Sequence, residues 1–432
     1  MIRDTLFLQI HTLTPFAASL LNRDDIGRAK RMPYGGVSRI RVSSQCLKRH
    51  WREVASAWSL ADLIDPGPGG QAPQTVRSRK IISRLVARPL VEDGFAVDDV
   101  ITVLEALKAE LLGESKRARA DRVAAKKPKA GTAAQSDDPH GEDDKPLEER
   151  LEVLDTSPVI VLGRPEIDFI RTAAAELLRQ RPKDADVAAK AYLKSKETAA
   201  NLKALRLAAG LDAALFGRMV TSDILARGDS AVNVAHALTV HAEESEPDYF
   251  VAIDDLAREA GELGAGLIQT AELTSGLFYG YVVIDVPLLV SNLEGAEPEQ
   301  WRQADHRLAA RVVEHLVHII ATTSPGARRG STAPYGYADL MLIEVGKRQP
   351  RSLMTAFHTP LDKRDARAAS VRTLADHLRR FDKMYGSEET RQYASLLPTA
   401  MLPAQEAADG LAGLARWAAA QLGTDSSAAR GF

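Results

Sequence analysis

The sequence predicts an α+β fold in which a sheet domain is interrupted by a long helical insertion. Alternating apolar residues mark strands near the N-terminus and again beyond residue 275, whereas residues 60–211 carry helical patterning without obvious strands. The later half adds the order strand, helix, strand, and the two parts together make one sheet domain with its insertion between them.

At 432 residues and 46.9 kDa the chain has room for two or three domains, or for one with a large insertion. A hydrophobic fraction of 45% suits a globular protein, and a net charge of -2 means that attraction to a polyanion requires a segregated surface. The sole cysteine, Cys46, excludes an intramolecular disulfide and a four-cysteine zinc site. The N-terminus MIRDTLFLQI lacks the apolar core of a signal peptide, and Asp285 interrupts the apolar run from Tyr281 to Val290. The expectation is a soluble, cytoplasmic protein with no membrane span.

Taken in order, Leu6, Leu8 and Ile10 alternate with Phe7, Gln9 and His11, which predicts a first strand over about residues 4–12. A loop with Pro33, Gly35 and Gly36 leads into Val37 to Ser43, where alternation puts Arg39 and Arg41 on one face and Ile40 and Val42 on the other. Ser43 or Ser44 then caps a helix whose Leu47, Trp51, Val54, Ala55 and Trp58 recur at helical spacing, with Lys48 and Arg52 one turn apart on another face. Residues 115–150 are basic first and acidic afterwards, have no aromatic residue, and hold only Val123 and Leu147 as aliphatics beyond alanine, which predicts disorder. That stretch reads as a solvated linker, and Lys116 to Lys129 are also able to make loose phosphate contacts. Ala188 to Ala209 reads as a helix with a lysine-rich solvated face. Phe278 to Val286 and Tyr337 to Val345 read as strands around a helix from His306 to Thr322 striped by Leu308, Val312, Leu316 and Ile319. Further helices cover residues 364–422, and no repeat of fixed period is present.

The densest chemistry lies between Leu21 and Arg52, where nine cations (Arg23, Arg28, Lys30, Arg31, Arg39, Arg41, Lys48, Arg49, Arg52) face two acids, Asp24 and Asp25. Arginine forks suit phosphate oxygens, lysine adds a point charge, and the amides at the helix start near Ser44 and Gln45 add oriented donors. Such contacts hold a nucleic-acid backbone without reading its bases. PGARRGS at Pro325 to Ser331 lacks the spacing of a phosphate-binding loop of the GxxxxGK[ST] type and reads as a basic loop whose Arg328 and Arg329 clamp phosphates. Phe278, Tyr279, Gly280 and Tyr281 echo an RNA-stacking platform only faintly and fit a core better. The rival class is an RNA-processing or metal-dependent nuclease built on His236 and His241 with Glu243, Glu244, Asp254 and Asp255, although that spacing matches no HExxH pattern.

The run LNRDD, then GG, then RIRVSSQCLKR resembles the N-terminal signature of the CasC family, the Cascade backbone subunits of type I-E CRISPR systems. Similar motifs follow in one order: DAALFGRMV from Asp212, VNVAHALTVH from Val232, DYFVAIDDL from Asp248, ELTSGLFYGY from Glu272 and HLVHIIATTSPGARR from His315. The resemblance is weak across the helical insertion and beyond about Pro360.

The resemblance implies an RRM-like (ferredoxin-like) palm with a helical fingers insertion and a protruding thumb. On this chain those parts are expected at 1–59 for the first part of the palm, 60–210 for the fingers with a disordered 115–150, 211–275 for the thumb region, and 276–432 for the second part of the palm with C-terminal helices. It also implies a crRNA-binding subunit that stacks head to tail with copies of itself, presents the guide RNA to target DNA, and joins other Cascade subunits. No catalytic residue, metal or cofactor of its own is expected, and cleavage falls to a separately recruited nuclease. Carried over by motif, Asn22, Arg23, Arg39, Arg41, Ser43, Gln45, Lys48, Arg49 and Arg52 are expected along the crRNA backbone, with Arg328 and Arg329 adding phosphate contacts. Met219, Phe250 and Leu267 are expected as apolar wedges against displaced bases. Cys46, His50 and Trp51 depart from the family pattern in the same helix.

Overall fold

The computed structural model of the chain describes residues 4–63, 75–112, 146–156, 159–195, 198, 211–217, 229–253, 265–327, 329–399, 402–403 and 406–423. The chain divides into two compact units, one drawn from Met1–Leu63, Ala231–Ser291 and Ala296–Phe432, the other from Ile64–Ser230 with Asn292–Gly295. The architecture is α+β, with a multi-stranded open sheet and interspersed helices.

The strands in chain order are β1 (Phe7–Ser19), β2 (Arg31–Tyr34), β3 (Val37–Val42), β4 (Thr75–Ser78), β5 (Ile160–Gly163), β6 (Val232–Val234), β7 (Ala237–Thr239), β8 (Ser245–Ile253), β9 (Ala265–Asp285), β10 (Leu340–Gly346), β11 (Thr390–Ser395) and β12 (Glu406–Ala407). Ten of them form the sheet of the first unit in the order β12-β11-β10-β1-β9-β7-β3-β2, with β6 and β8 also paired to β9. Within this sheet only β11 and β12 run parallel.

β1 is buried on both faces because both are covered. On one, α1 (Ser44–Glu53) and the Arg307–Thr322 helix bring Leu47, Trp51 and Ile320 toward Thr12, Phe278 and Val282 around a cavity of about 50 Å³. On the other, Leu13, Leu277, Tyr279, Leu340 and Leu342 pack with Leu353, Phe357 and the Val371, Leu374 and Leu378 stripe of the Ala366–Tyr385 helix. The strand runs well past the expected residue 12. β9 pairs it continuously from Phe7 opposite Asp285 to Phe16 opposite Gly276, while pairing with β10 stops at Leu13, so Pro15 sits where β10 asks for no further N–H.

Between the sheet and the Ala366–Tyr385 helix lies a buried polar network. Glu344 on β10 has no exposed side-chain surface and accepts from both terminal nitrogens of Arg351 at 2.8 Å and from Nε of Arg391. Arg391 in turn reaches Asp382, and Arg348 reaches Glu389. His11 Nε2 donates to Glu344 at 3.0 Å, Tyr279 Oη donates to His11 Nδ1 at 2.8 Å, and Leu353 N–H donates to Tyr279 at 2.9 Å. Burial alone would raise the Glu344 carboxyl, but hydrogen bonds from His11 and Arg351 outweigh it and hold the group well below the usual carboxylate range. Burial pushes His11 below its ordinary value against the pull of Glu344, so the imidazole is neutral.

Both shifts have the same consequence for stability. A depressed folded-state pKa means that the unfolded chain binds more protons, so the stabilisation is complete above the unfolded value and drains as pH falls toward the folded one. For His11 that decline begins near 6.5 and for Glu344 near 4.5. The melting temperature is expected to fall between pH 7 and pH 5. In His11→Gln the slope over that interval is expected to be shallower, and an unchanged slope would assign it to other histidines such as His241.

Arg39 is the second buried charge. It has 0% exposure, and its guanidinium donates to the carbonyls of Thr239 and Phe357 at 2.9 Å and of Tyr34 at 3.2 Å, tying the β2–β3 hairpin to β7 and to the segment before His358. Gly35 permits this approach: its φ is +63°, and a Cβ there would stand 1.7 Å from the His358 carbonyl oxygen. Arg39→Met removes the guanidinium donor from these three carbonyls and from that of His358 at 3.4 Å, and is expected to cost at least about 3 kcal/mol, read as a lower urea midpoint at unchanged m-value.

The second unit is mainly helical, with Val97–Leu112, Arg164–Gln180 and Ala185–Lys194 packing Leu104, Leu107, Ile170, Leu177 and Leu193 into one core. It also holds the antiparallel pair β4 and β5, which the helical patterning of residues 60–211 did not suggest because four-residue strands are too short to show a period. Of the stretch expected to be disordered, residues 115–145 lie outside the described residues, and Leu147–Leu151 forms a helical turn with Leu151 buried. α1 is shorter than its apolar spacing suggested. It ends at Glu53, and Trp58 instead stacks on His318 with ring centroids 3.6 Å apart.

Candidate nucleic-acid interface

The cationic N-terminal stretch folds into a loop, a hairpin and α1, all held together by backbone bonds. Asn22 Oδ1 accepts from Ser43 N–H at 3.0 Å, the Asn22 carbonyl accepts from Lys30 N–H at 2.9 Å, and the Lys30 carbonyl accepts from Arg41 N–H at 2.8 Å. Leu20, Leu21, Ala29, Ile40 and Val42 form an apolar floor with Ala237 and Phe278, leaving the charged side chains on the other side of the loop. Asp24 spends its carboxylate on the turn, accepting from Ile26 N–H and Arg28 N–H. Among the described residues Arg23, Arg28, Lys30 and Arg41 form no ion pair, in contrast to Arg31, which is bound by Glu243 and Glu272.

Of the two serines that could cap α1, Ser43 does so, its hydroxyl accepting from Cys46 N–H at 3.3 Å. The next amide, Ser44 N–H, donates to Nδ1 of His236 at 3.1 Å. Burial first, then the charges of Arg41 and Lys30, push the His236 pKa down, so an unprotonated imidazole faces the helix start among cations. Gln45 is exposed in the first turn, Lys48 and Arg52 are half-buried one turn apart, and buried Trp51 anchors the neighbouring face. Arg49 is exposed and paired with Glu53 at 3.1 Å. His50 donates through Nδ1 to the Cys46 carbonyl at 2.8 Å, which accommodates it within the helix, and burial pushes the Cys46 thiol up.

The second basic segment lies beside the first. Ala327 N–H donates to the Leu20 carbonyl at 2.8 Å, which brings the loop carrying exposed Arg329 to within two residues of Asn22 along β1's exit; Arg328 lies outside the described residues. The structure therefore gathers Asn22, Arg23, Arg41, Ser43, Gln45, Lys48, Arg49, Arg52 and Arg329 around one loop and helix. Arg39 is the exception. It shares a strand face with Arg41 but is fully buried on internal carbonyls, and so has no surface to offer a phosphate. Lys30 and His236 are the members that sequence reasoning did not place in this set. Lys30 stood in the charged run, whereas nothing local to His236 signals that β6 and β7 carry it to the start of α1.

Of the expected wedges, Met219 lies outside the described residues. Phe250 and Leu267 occupy the paired strands β8 and β9, where Phe250 is opposite Gln269 and Leu267 opposite Ala252, so their register positions share one face of the hairpin. Phe278 and Tyr279 are buried, and Tyr281 donates to Gln9 at 2.8 Å, which leaves no stacking platform on this part of β9.

The described residues of the nuclease alternative are not assembled. His241 is buried, donating from Nδ1 to the Ala242 carbonyl at 2.7 Å and accepting at Nε2 from Leu277 N–H at 3.1 Å, while Glu243 pairs with Arg31 and Glu244 with Lys363. Asp254 and Asp255 lie outside the described residues. Among the described residues no group of three or more His, Cys, Asp or Glu side chains could hold a metal ion, and no helix is long and apolar enough to cross a membrane.

Similarity to other proteins runs along most of the chain. A solved structure described as a CRISPR RNA-guided surveillance complex, pre-nicking, contains a chain 25% identical to this one, with a TM-score of 0.67 over 96% of this chain and 100% of that one. A second, described as a CRISPR RNA-guided surveillance complex, is 23% identical with a TM-score of 0.58 over 96% of this chain and 99% of that one, a likeness of fold. No curated protein matches. The family defined as CT1975-like protein matches residues 8–417, and the chain belongs to that family.

Proposed function

We propose that the chain is the crRNA-binding backbone subunit of a type I-E Cascade complex, polymerising head to tail along the guide RNA, protecting it and presenting it to target DNA. The observation that carries this reading is the set of cations without acidic partners, Arg23, Lys30 and Arg41, converging with Gln45, Lys48 and Arg52 around the start of α1. Contacts of this kind follow a phosphate backbone and leave base edges free for pairing. Arg329, with Arg328, extends the track, Asn22 and Ser43 hold it in shape, and Arg39 supports it from below.

The sheet supports an RRM-like palm. β1, α1, β7, β9, the Arg307–Thr322 helix and β10 follow one another as βαββαβ, and the order β10-β1-β9-β7 is that of a ferredoxin-like core. In this reading residues 60–210 are the fingers, the thumb lies within 211–275, and Met219, Phe250 and Leu267 press on displaced bases. Other Cascade subunits bind the assembled filament, and cleavage belongs to a recruited nuclease.

The test is binding of the full chain to fluorescent single-stranded RNAs of several sequences over a salt series. Affinity is expected to fall steeply with salt and to change little with sequence. Sequence-dependent binding insensitive to salt, or RNA cleavage that disappears in His236→Ala, would overturn the reading.

A further inference from the structure

Tyr335 and Tyr337 are 72% and 66% exposed, separated by a single glycine. Among the described residues neither ring stacks on another and neither phenol is hydrogen-bonded. The backbone that carries them is nonetheless fixed. Ser324 Oγ donates to the Gly336 carbonyl at 2.9 Å and accepts from Gly336 N–H at 2.8 Å, Tyr335 N–H donates to Ala333 at 2.7 Å, and Ala338 N–H donates to Ala321 at 2.9 Å. Gly336 itself lies so close to β1 that a Cβ would stand 2.5 Å from the Pro15 carbonyl oxygen. A tight backbone with two unengaged rings is a preorganised surface, since little order remains to be imposed when something binds.

Its neighbours indicate what binds. The same loop carries exposed Arg329 and is bonded at Ala327 to Leu20, beside Asn22 and Arg23. Gly336 and Pro325 also line the cavity that Leu47 and Trp51 of α1 line, so the backbone carrying the tyrosines and the helix of Gln45, Lys48 and Arg52 border one cavity. Aromatic faces interleaved with cations are the composition of a single-strand binding surface, because every base offers a π-face irrespective of its identity.

We propose that Tyr335 and Tyr337 form a stacking platform for unpaired bases of the single-stranded RNA whose phosphates follow the α1 cations and Arg329. This deepens the function proposed above and rests on it. Stacking at this loop would fix the rotational setting of nucleotides that the cations hold only by their backbone.

The test compares the full chain with Tyr335→Ala/Tyr337→Ala and Tyr335→Phe/Tyr337→Phe, using a fluorescent single-stranded RNA and the same strand with abasic sugars. The alanine variant is expected to lose roughly 5- to 150-fold in affinity for the intact RNA per stacked base. Its affinity for the abasic strand and its salt dependence are expected to match wild type, and the phenylalanine variant is expected to bind as wild type does. If the alanine variant binds intact RNA normally while Lys30→Ala/Arg41→Ala does not, the platform is overturned and the backbone reading stands. If wild type binds neither strand, both fall. If the alanine variant loses only self-association in sedimentation, the rings belong to a protein interface and the proposal is overturned.

Discussion

Glu344→Gln is expected to lower the unfolding free energy by about 3–5 kcal/mol, the cost of removing one partner from a buried ion network. The substitution preserves shape, deletes the charge and turns one acceptor oxygen into an NH2 group that faces other donors. Arg391, 3% exposed at its side chain, and Arg351, 15% exposed, would then share a neutral amide where they shared a carboxylate, and His11 would lose its charged acceptor. Because Asp382 still reaches Arg391, the variant is expected to fold with a lower melting temperature. Equilibrium urea unfolding gives the magnitude. A change below about 1 kcal/mol would show that Asp382 and Glu389 satisfy Arg391 without Glu344. Since the groups act together, Glu344→Gln/Arg391→Gln is expected to cost less than the sum of its single changes.

Lys30→Ala/Arg41→Ala is expected to weaken single-stranded RNA binding by roughly tenfold or more per residue, the range of hydrogen bonds to charged groups. The plot of log affinity against log salt should become shallower by about 0.7 for each phosphate that is no longer neutralised. The two residues are suited to the test because neither is held by a described carboxylate, so truncation frees no buried acid. It also relieves His236, whose depressed pKa depends in part on both charges, and that imidazole should titrate closer to its ordinary value of 6.5 in the variant. NMR titration of the ring reads this without RNA. Arg307→Ala, which removes an exposed arginine paired with Asp305, should leave both readouts unchanged. Loss of affinity with an unaltered salt slope would mean that the variant acts through the fold.

What the sequence made legible was local. Ser43 as a cap, the alternation that pairs Arg39 with Arg41, and the apolar stripe of the Arg307–Thr322 helix are each decided within a few residues. The depth of Arg39 is decided by carbonyls at Tyr34, Thr239 and Phe357, two of them far along the chain, so one strand face carries both a buried strut and a surface cation. His236 and His241, five apart, looked like a pair of ligands. The sheet instead sends one to the start of α1 and seals the other against Leu277. Glu344 carries a signal of its own: it is a single acid inside the apolar run LMLIEV, and a charge in a strand covered on both sides implies buried partners.

The pairing of β1 also bears on how the chain comes into being. Its neighbours in the sheet, β9 and β10, begin at Ala265 and Leu340, so the first strand to be made has no partner until most of the chain exists. At ordinary rates of synthesis that delay is on the order of tens of seconds. Throughout it FLQIH and its apolar continuation emerge unpaired, an edge open to any other extended segment. Long-range pairing of this kind makes a slow-folding, aggregation-exposed topology, and a product truncated before Asp285 would carry β1 without its full complement. Holding the nascent N-terminus away from its neighbours is thus a requirement that the order of the strands places on the cell.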